Sequence, residues 1–336
     1  MDRFGIGKVG LPGFGVGEFR LPVFGGGSGR GSGDQWIPEP DVYYDLSLKD
    51  NSSPTRNIMD DLSGNGHDAE IFNAAYALGS GYGKYATDFN NWQKVEISSF
   101  TRNTDTINIT NVVDANRILY ISNISFNLKI KVSGTTSDMY PSFKYGEDWL
   151  DCKTDGEYTL KANNVEVSLA FRSGVGDCDI TITQIPDYKG AFVFDGVDDY
   201  AIMQNVTKGF KTLFVEVVPL NLDATMYDQR INSSYTNFSI INKSGYVAYE
   251  YNNKGLTYIN GKLNTTILTD NLLNKRQIIT ATNDVQSDCK TIYIGCNYLL
   301  GSFSNMALYK LIGFYDELTP LQIEKVIQKY NLKFDE

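Results

Sequence analysis

Short runs of alternating apolar and polar residues recur along most of this chain, and helical spacing appears in one place. Residues 94–98 (KVEIS), 106–110 (TINIT), 126–132 (FNLKIKV), 165–169 (VEVSL) and 179–183 (DITIT) place an apolar side chain at every second position. Period two turns one face of an extended chain inward and leaves the other wet, so each run predicts a half-buried strand. Residues 41–45, 69–72, 212–218, 238–241, 247–251, 256–259, 277–280, 291–294 and 307–315 are further strand candidates, and Asn260-Gly261 predicts a tight type I′ turn. The exception is the C-terminal stretch. Thr319 is a cap, Pro320 suits the first helical position, and Gln322 completes a capping box. Leu318 and Ile323 are spaced for a hydrophobic staple, and Ile323, Val326, Ile327 and Tyr330 share one face. The pattern predicts an all-β protein closed by one helix.

The strands are organised around residues 190–203, GAFVFDGVDDYAIM. A buried strand (Ala191 to Phe194) runs into an Asp195-Gly196 turn, and a second extended run leaves from Tyr200. This corner resembles the G-A-strand-D-G-x-D-D-Y corner of laminin-G-like, concanavalin A-like lectin and glucanase domains. The likeness is strongest to versions in virion structural proteins of crAss-like gut tailed phages. Residues 60–68 (DDLSGNGHD) resemble the early polar turn of that family, and residues 317–330 (ELTPLQIEKVIQKY) resemble its last helix. The resemblance implies an antiparallel two-sheet jelly roll. It extends over residues 34–91 and 188–334, interrupted by residues 92–187, where the alternating runs predict an inserted small β-sandwich.

Residues 1–33 have another character. Phe4, Phe14 and Phe24 recur about every ten residues, each followed by glycine, and Leu11-Pro12 and Leu21-Pro22 precede the second and third copies. Singly dotted apolar residues among so much glycine cannot close a core. The repeat predicts an arm that docks on something else, and the resemblance implies that it anchors the protein to other virion components such as capsid, portal or tail. A homo-oligomer, a trimer foremost, is the matching expectation.

Composition narrows the partners. The chain has 336 residues, 42% of them hydrophobic, and a formal net charge of −10, which disfavours nucleic acid and anionic membranes as main partners. There is no run of membrane-spanning length, and no basic segment leading into an apolar core, so synthesis in a host cytoplasm without a secretory signal is expected. Four cysteines (Cys152, Cys178, Cys289 and Cys296) and one histidine, His67, make a zinc site a poor expectation. Free thiols are favoured, with Cys152–Cys178 the alternative pair. His67 reads as structural rather than as a ligand or base.

Candidate chemistry is sparse. Glycosidases of this fold present acid and nucleophile from one strand as Glu-x-Asp-x-Glu, or with one more spacer, and no such triplet occurs; Glu216 and Glu250 have no carboxylate two residues on. Asp195, Asp198 and Asp199 form an oxygen-rich corner of the kind that suits Ca²⁺. The competing reading has Asp195 pinning the turn while the other two face water, with no cofactor at all. Tyr82, Tyr85 and Trp149 lie in loop-like segments and are candidate sugar platforms. The expected function is a non-enzymatic phage fibre or decoration protein touching host surface glycans. A polysaccharide depolymerase of the same fold and a bacterial surface adhesin are the alternatives.

Overall fold

The computed structural model describes residues 36–95, 98–113, 117–172, 174–221, 224–229, 239–243, 246–250, 255–263, 273–285 and 288–335, which belong to one compact unit. The arm residues Phe4, Leu11, Pro12, Phe14, Leu21, Pro22 and Phe24 lie outside the described residues. The unit is mostly β, with three antiparallel sheets and one α-helix among the described residues.

Two of the sheets face each other. The first is built around Asn305–Phe314, which pairs with Thr212–Pro219 along one edge. Its other edge takes Phe192–Asp195 and Val42–Asp45 end to end. The second sheet runs from Tyr246–Glu250 through Ser239–Lys243, Ala224–Asp228, Ile292–Ile294, Tyr200–Met203 and Ala69–Phe72 to Ile58–Met59. One core joins them: Phe192, Phe194, Leu213, Val215 and Leu308 from the first pack with Ile71, Met203, Tyr227 and Ile294 from the second. The result is sandwich-like.

The first sheet is covered on its outer face too, which explains why Thr212–Pro219 is buried at every position. Leu213, Val215 and Val217 face the sandwich core, while Phe214 lies with Ile312 and Phe314 beneath the helix Pro320–Lys329. The capping box predicted from sequence is formed. Thr319 accepts the Gln322 N–H, and Gln322 Oε1 accepts the Thr319 N–H at 2.9 Å. Ile323 and Val326 are fully buried, each contributing roughly 1.5–3 kcal/mol.

Every strand from Gln93 to Gln184 belongs to the third sheet, and these strands pair only with one another. At its centre Leu119–Ser133 and Gly156–Ala170, 15 residues each, run antiparallel. These are far longer than the predicted runs 126–132 and 165–169. Asn123 and Asn164 interrupt both strands with φ near +50°. The register shifts there, and the inward parity flips: Leu119 and Ile121 face in before the break, Leu128, Ile130 and Val132 after it. The bent pair thereby contributes to both halves of one core. Phe89 and Trp92 also belong to that core, which begins a few residues earlier than the pattern predicts.

Outgoing and returning chains meet where the third sheet departs from the first. Gly83 N–H donates to Ala191 O, Tyr188 N–H to Gly83 O and Asp187 N–H to Lys84 O, at 2.9, 3.0 and 3.1 Å.

Candidate functional site

At the Asp195–Tyr200 corner, Gly196 adopts φ +79° to turn the chain. Asp195 Oδ1 accepts the Val197 N–H at 2.7 Å, and Asp199 Oδ2 accepts the Asp195 N–H at 2.9 Å. Asp198 faces solvent, but Asp199 is fully buried, which corrects the expectation that both face water. Carboxylate oxygens of all three lie within 4.8 Å of one another. Oxygens bound to a common Ca²⁺ at about 2.3–2.6 Å cannot be much farther apart. Asp199 Oδ1 is buried without a hydrogen-bond partner. Burial, opposed by the Asp195 N–H and the Ser80 hydroxyl and reinforced by the Asp195 and Asp198 charges, pushes the Asp199 carboxyl up to about 6. A cation held by these three residues would satisfy the orphan oxygen and cancel the clustered charge.

The sugar candidates separate. Tyr82 is 4% exposed and packs edge-on to Phe192 in the sandwich core, so it offers no ring face to a sugar. Its O–H donates to the Arg56 carbonyl. Tyr85 is half-buried in a cleft of about 790 Å³, bounded by Gly83, Pro186, Lys189 and Lys131, and its O–H donates to Asp105. Burial of that hydroxyl, helped by Asp105, raises it to about 12.

Trp149 is 38% exposed at a groove of about 540 Å³ on the third sheet. The register shows what surrounds it. Trp149 stands opposite Lys144, Lys144 opposite Ser168, Ser168 opposite Tyr120, and Tyr120 opposite Gln93. Their chain neighbours Leu150, Phe143, Val167, Leu119 and Trp92 point into the core, so this row occupies the outward face. It crosses five strands, about 19 Å at ~4.8 Å per strand. Ser168 is the buried floor, and Tyr120 O–H donates to Gln93 Oε1. Arg172 lies over the Trp149 ring at 4.7 Å and Arg117 over the Tyr120 ring at 4.2 Å.

Compared with known proteins, the chain matches no family model, no curated protein and no solved structure.

Of the sugar candidates, then, Trp149 alone lies in a row of outward side chains. Sequence reasoning missed Lys144, Tyr120, Arg117 and Arg172. The alternation of residues 165–169 carried a signal for Ser168, and the turn at Gly146-Glu147 places Lys144 opposite Trp149 within one short segment, but the pairings with Ser168, Tyr120 and Gln93 do not appear in any one segment. His67 has structural partners: its Nε2 is 3.2 Å from Tyr315 Oη, and its Nδ1 is 3.4 Å from Gln204 O. All four cysteines are free, and burial lifts the Cys152 thiol to about 12. Glu216 is sealed on the outer face of the first sheet, ion-paired to Arg276, whose guanidinium lies 3.5 Å over Tyr309. No helix among the described residues is long and apolar enough to cross a membrane.

Proposed function

We propose that this chain is a non-enzymatic structural protein of a phage particle. It is a head or tail fibre or decoration, tied to its neighbours by the N-terminal arm and touching surface glycans. The sandwich-like pair of sheets is consistent with the laminin-G-like jelly roll implied by the corner, the early polar turn and the last helix. On this reading residues 34–91 and 188–334 are the frame, residues 92–187 are an inserted display domain, and the protein assembles as a homo-oligomer, a trimer foremost.

The observation that carries the glycan reading is the outward row from Trp149 to Gln93. An exposed indole flanked by hydroxyl, amide and charged groups along a groove on a sheet face is a surface suited to sugar rings and their hydroxyls. Its side chains are set by backbone pairing rather than by a loop, so little ordering is needed on contact. Glu216, sealed and paired, has no access to a substrate.

Two measurements test the reading. Antibody against this chain should decorate purified particles, and Trp149→Ala should reduce binding to a panel of immobilised bacterial glycans. Unlabelled particles would remove the virion assignment, and unchanged glycan binding would remove the row. Release of reducing ends that stops on replacing a carboxylate would replace both with an enzyme.

A further inference from the structure

The row carries more positive charge than a platform for neutral sugars requires. Lys144, Arg117 and Arg172 all line the groove beside Trp149. A guanidinium lying flat on an aromatic ring keeps its plane fixed and its edge N–H donors free, which suits a carboxylate or sulfate. Both arginines stand over a ring, Arg172 Cζ 4.7 Å from the centre of Trp149 and Arg117 Cζ 4.2 Å from that of Tyr120. Their carboxylate partners are half-exposed pairs: Arg117 to Glu166 at 2.5 Å and Arg172 to Asp151 at 3.5 Å. Such pairs are worth little in water, so an incoming anion can replace them. Lys144 has no carboxylate partner among the described residues; its Nζ lies 5.9 Å from the centre of the Trp149 ring.

We propose that this groove binds an acidic polysaccharide. Anionic groups of the ligand sit on Arg172, Lys144 and Arg117, and a sugar ring lies against Trp149. The proposal rests on the glycan-contacting reading above and names the class of glycan. A net charge of −10 does not oppose it at this range, because at physiological salt the field of the whole chain decays within about 8 Å. Glu166 and Gln93 beside the cations favour a saccharide over nucleic acid. Their oxygens accept bonds from hydroxyls, which a polysaccharide presents on every ring and a DNA backbone does not.

The test uses the full chain, titrated with polygalacturonate (carboxylate), heparin (sulfate), dextran (neutral) and a single-stranded oligonucleotide. One or both acidic polysaccharides should bind at least about tenfold tighter than dextran and weaken as salt rises. Lys144→Glu should lose that preference while retaining the native thermal midpoint, and Trp149→Ala should weaken every glycan. Which of the first two probes binds tells carboxylate from sulfate. Dextran binding as tight as the acidic probes, and still lost in Trp149→Ala, would overturn the acidic class while leaving the glycan reading standing. Binding of no glycan would overturn both. An oligonucleotide that competes with equal affinity would replace the saccharide by nucleic acid.

Discussion

Asp199 and Asp195 hold the central corner together through a single bond, from the Asp195 N–H to Asp199 Oδ2 at 2.9 Å. The same arrangement leaves Asp199 Oδ1 buried and unpaired beside two other carboxylates. One consequence concerns pH. The folded carboxyl is raised to about 6 from an ordinary 3.8, chiefly by burial, so the native state holds this proton more tightly than the unfolded chain does. Stability from this group is therefore full below pH 3.8 and falls as pH rises to about 6. Asp199→Asn keeps an acceptor for the Asp195 N–H and puts an amide donor beside the carboxylates. In chelator at pH 7 it should melt higher than the native protein and show a flatter pH profile.

Calcium binding at this corner should reverse that order. Ca²⁺ at about a hundred times its dissociation constant should stabilise the native chain by about 2.7 kcal/mol and leave Asp199→Asn unmoved. Thermal unfolding with and without Ca²⁺ reads both. A native midpoint indifferent to Ca²⁺ makes Asp199 a pin for the turn and nothing more.

Gly196 is required at this corner for two reasons. Its φ is +79°, and an added Cβ would stand 2.8 Å from Asn305 Cβ. Gly196→Ala should cost more than the roughly 1–2 kcal/mol of a left-handed residue alone. Gly64→Ala, at φ +83° with open space around it, should cost only that. Urea denaturation compares the two, and equal losses would show that the Asn305 contact relaxes freely.

Arg276 guards a buried charge. With Arg276→Met, Glu216 stays fully buried without its ion partner, a change worth about 3–5 kcal/mol. Glu216 is already raised from its ordinary 4.5, first by burial and against the pull of Arg276. Losing the arginine raises it further, so the deficit should shrink as the carboxyl is protonated on acidification. A loss that stays constant with pH would trace instead to the packing of Arg276 on Tyr309.

The third sheet should be separable at its paired junction. Joining Lys84 to Asp187 through a two-residue turn bridges residues already hydrogen-bonded at 3.1 Å. The remainder should unfold cooperatively, and residues 85–186 should fold alone around Phe89 and Trp92. A cut after Asn91 strands Phe89 outside its core, and calorimetry should show that product as the less stable.

Many strands and the final helix were legible because each is a local pattern, such as period two in 106–110 and 179–183 and a cap and staple at 318–323; Ser99–Arg102, Ser142–Tyr145, Asp148–Asp151 and Ala224–Asp228 were not, and the run 94–98 forms a strand only at Gln93–Lys94. The full length of Leu119–Ser133 and Gly156–Ala170 was not. Asn123 and Asn164 each shift the inward parity by one, so a periodicity count stops at the bend and keeps half the strand. Tyr82 looked exposed among glycines, yet Gly81 beside it lets the chain pass close to Asn51 and Tyr76, and the ring lies inside. Trp149 was named from a loop-like setting but stands on the strand Asp148–Asp151, with Lys144 opposite it across a two-residue turn; Ser168 and Tyr120 join the row through pairing between strands up to 48 residues apart in register (Tyr120 with Ser168). No single window contains that relation.

Because the outward row runs across the strands rather than along one, its intervals are set by the backbone ladder. Each step from Gln93 to Trp149 is one inter-strand distance, about 4.8 Å, and no loop length or hinge enters it. The row behaves as a ruler with fixed graduations. Changing a side chain alters what is written at one mark, but moving a mark requires a strand to slip by a residue, which would turn its apolar neighbour out to water. Chemical character at this face can therefore drift by point substitution while its spacing stays constant.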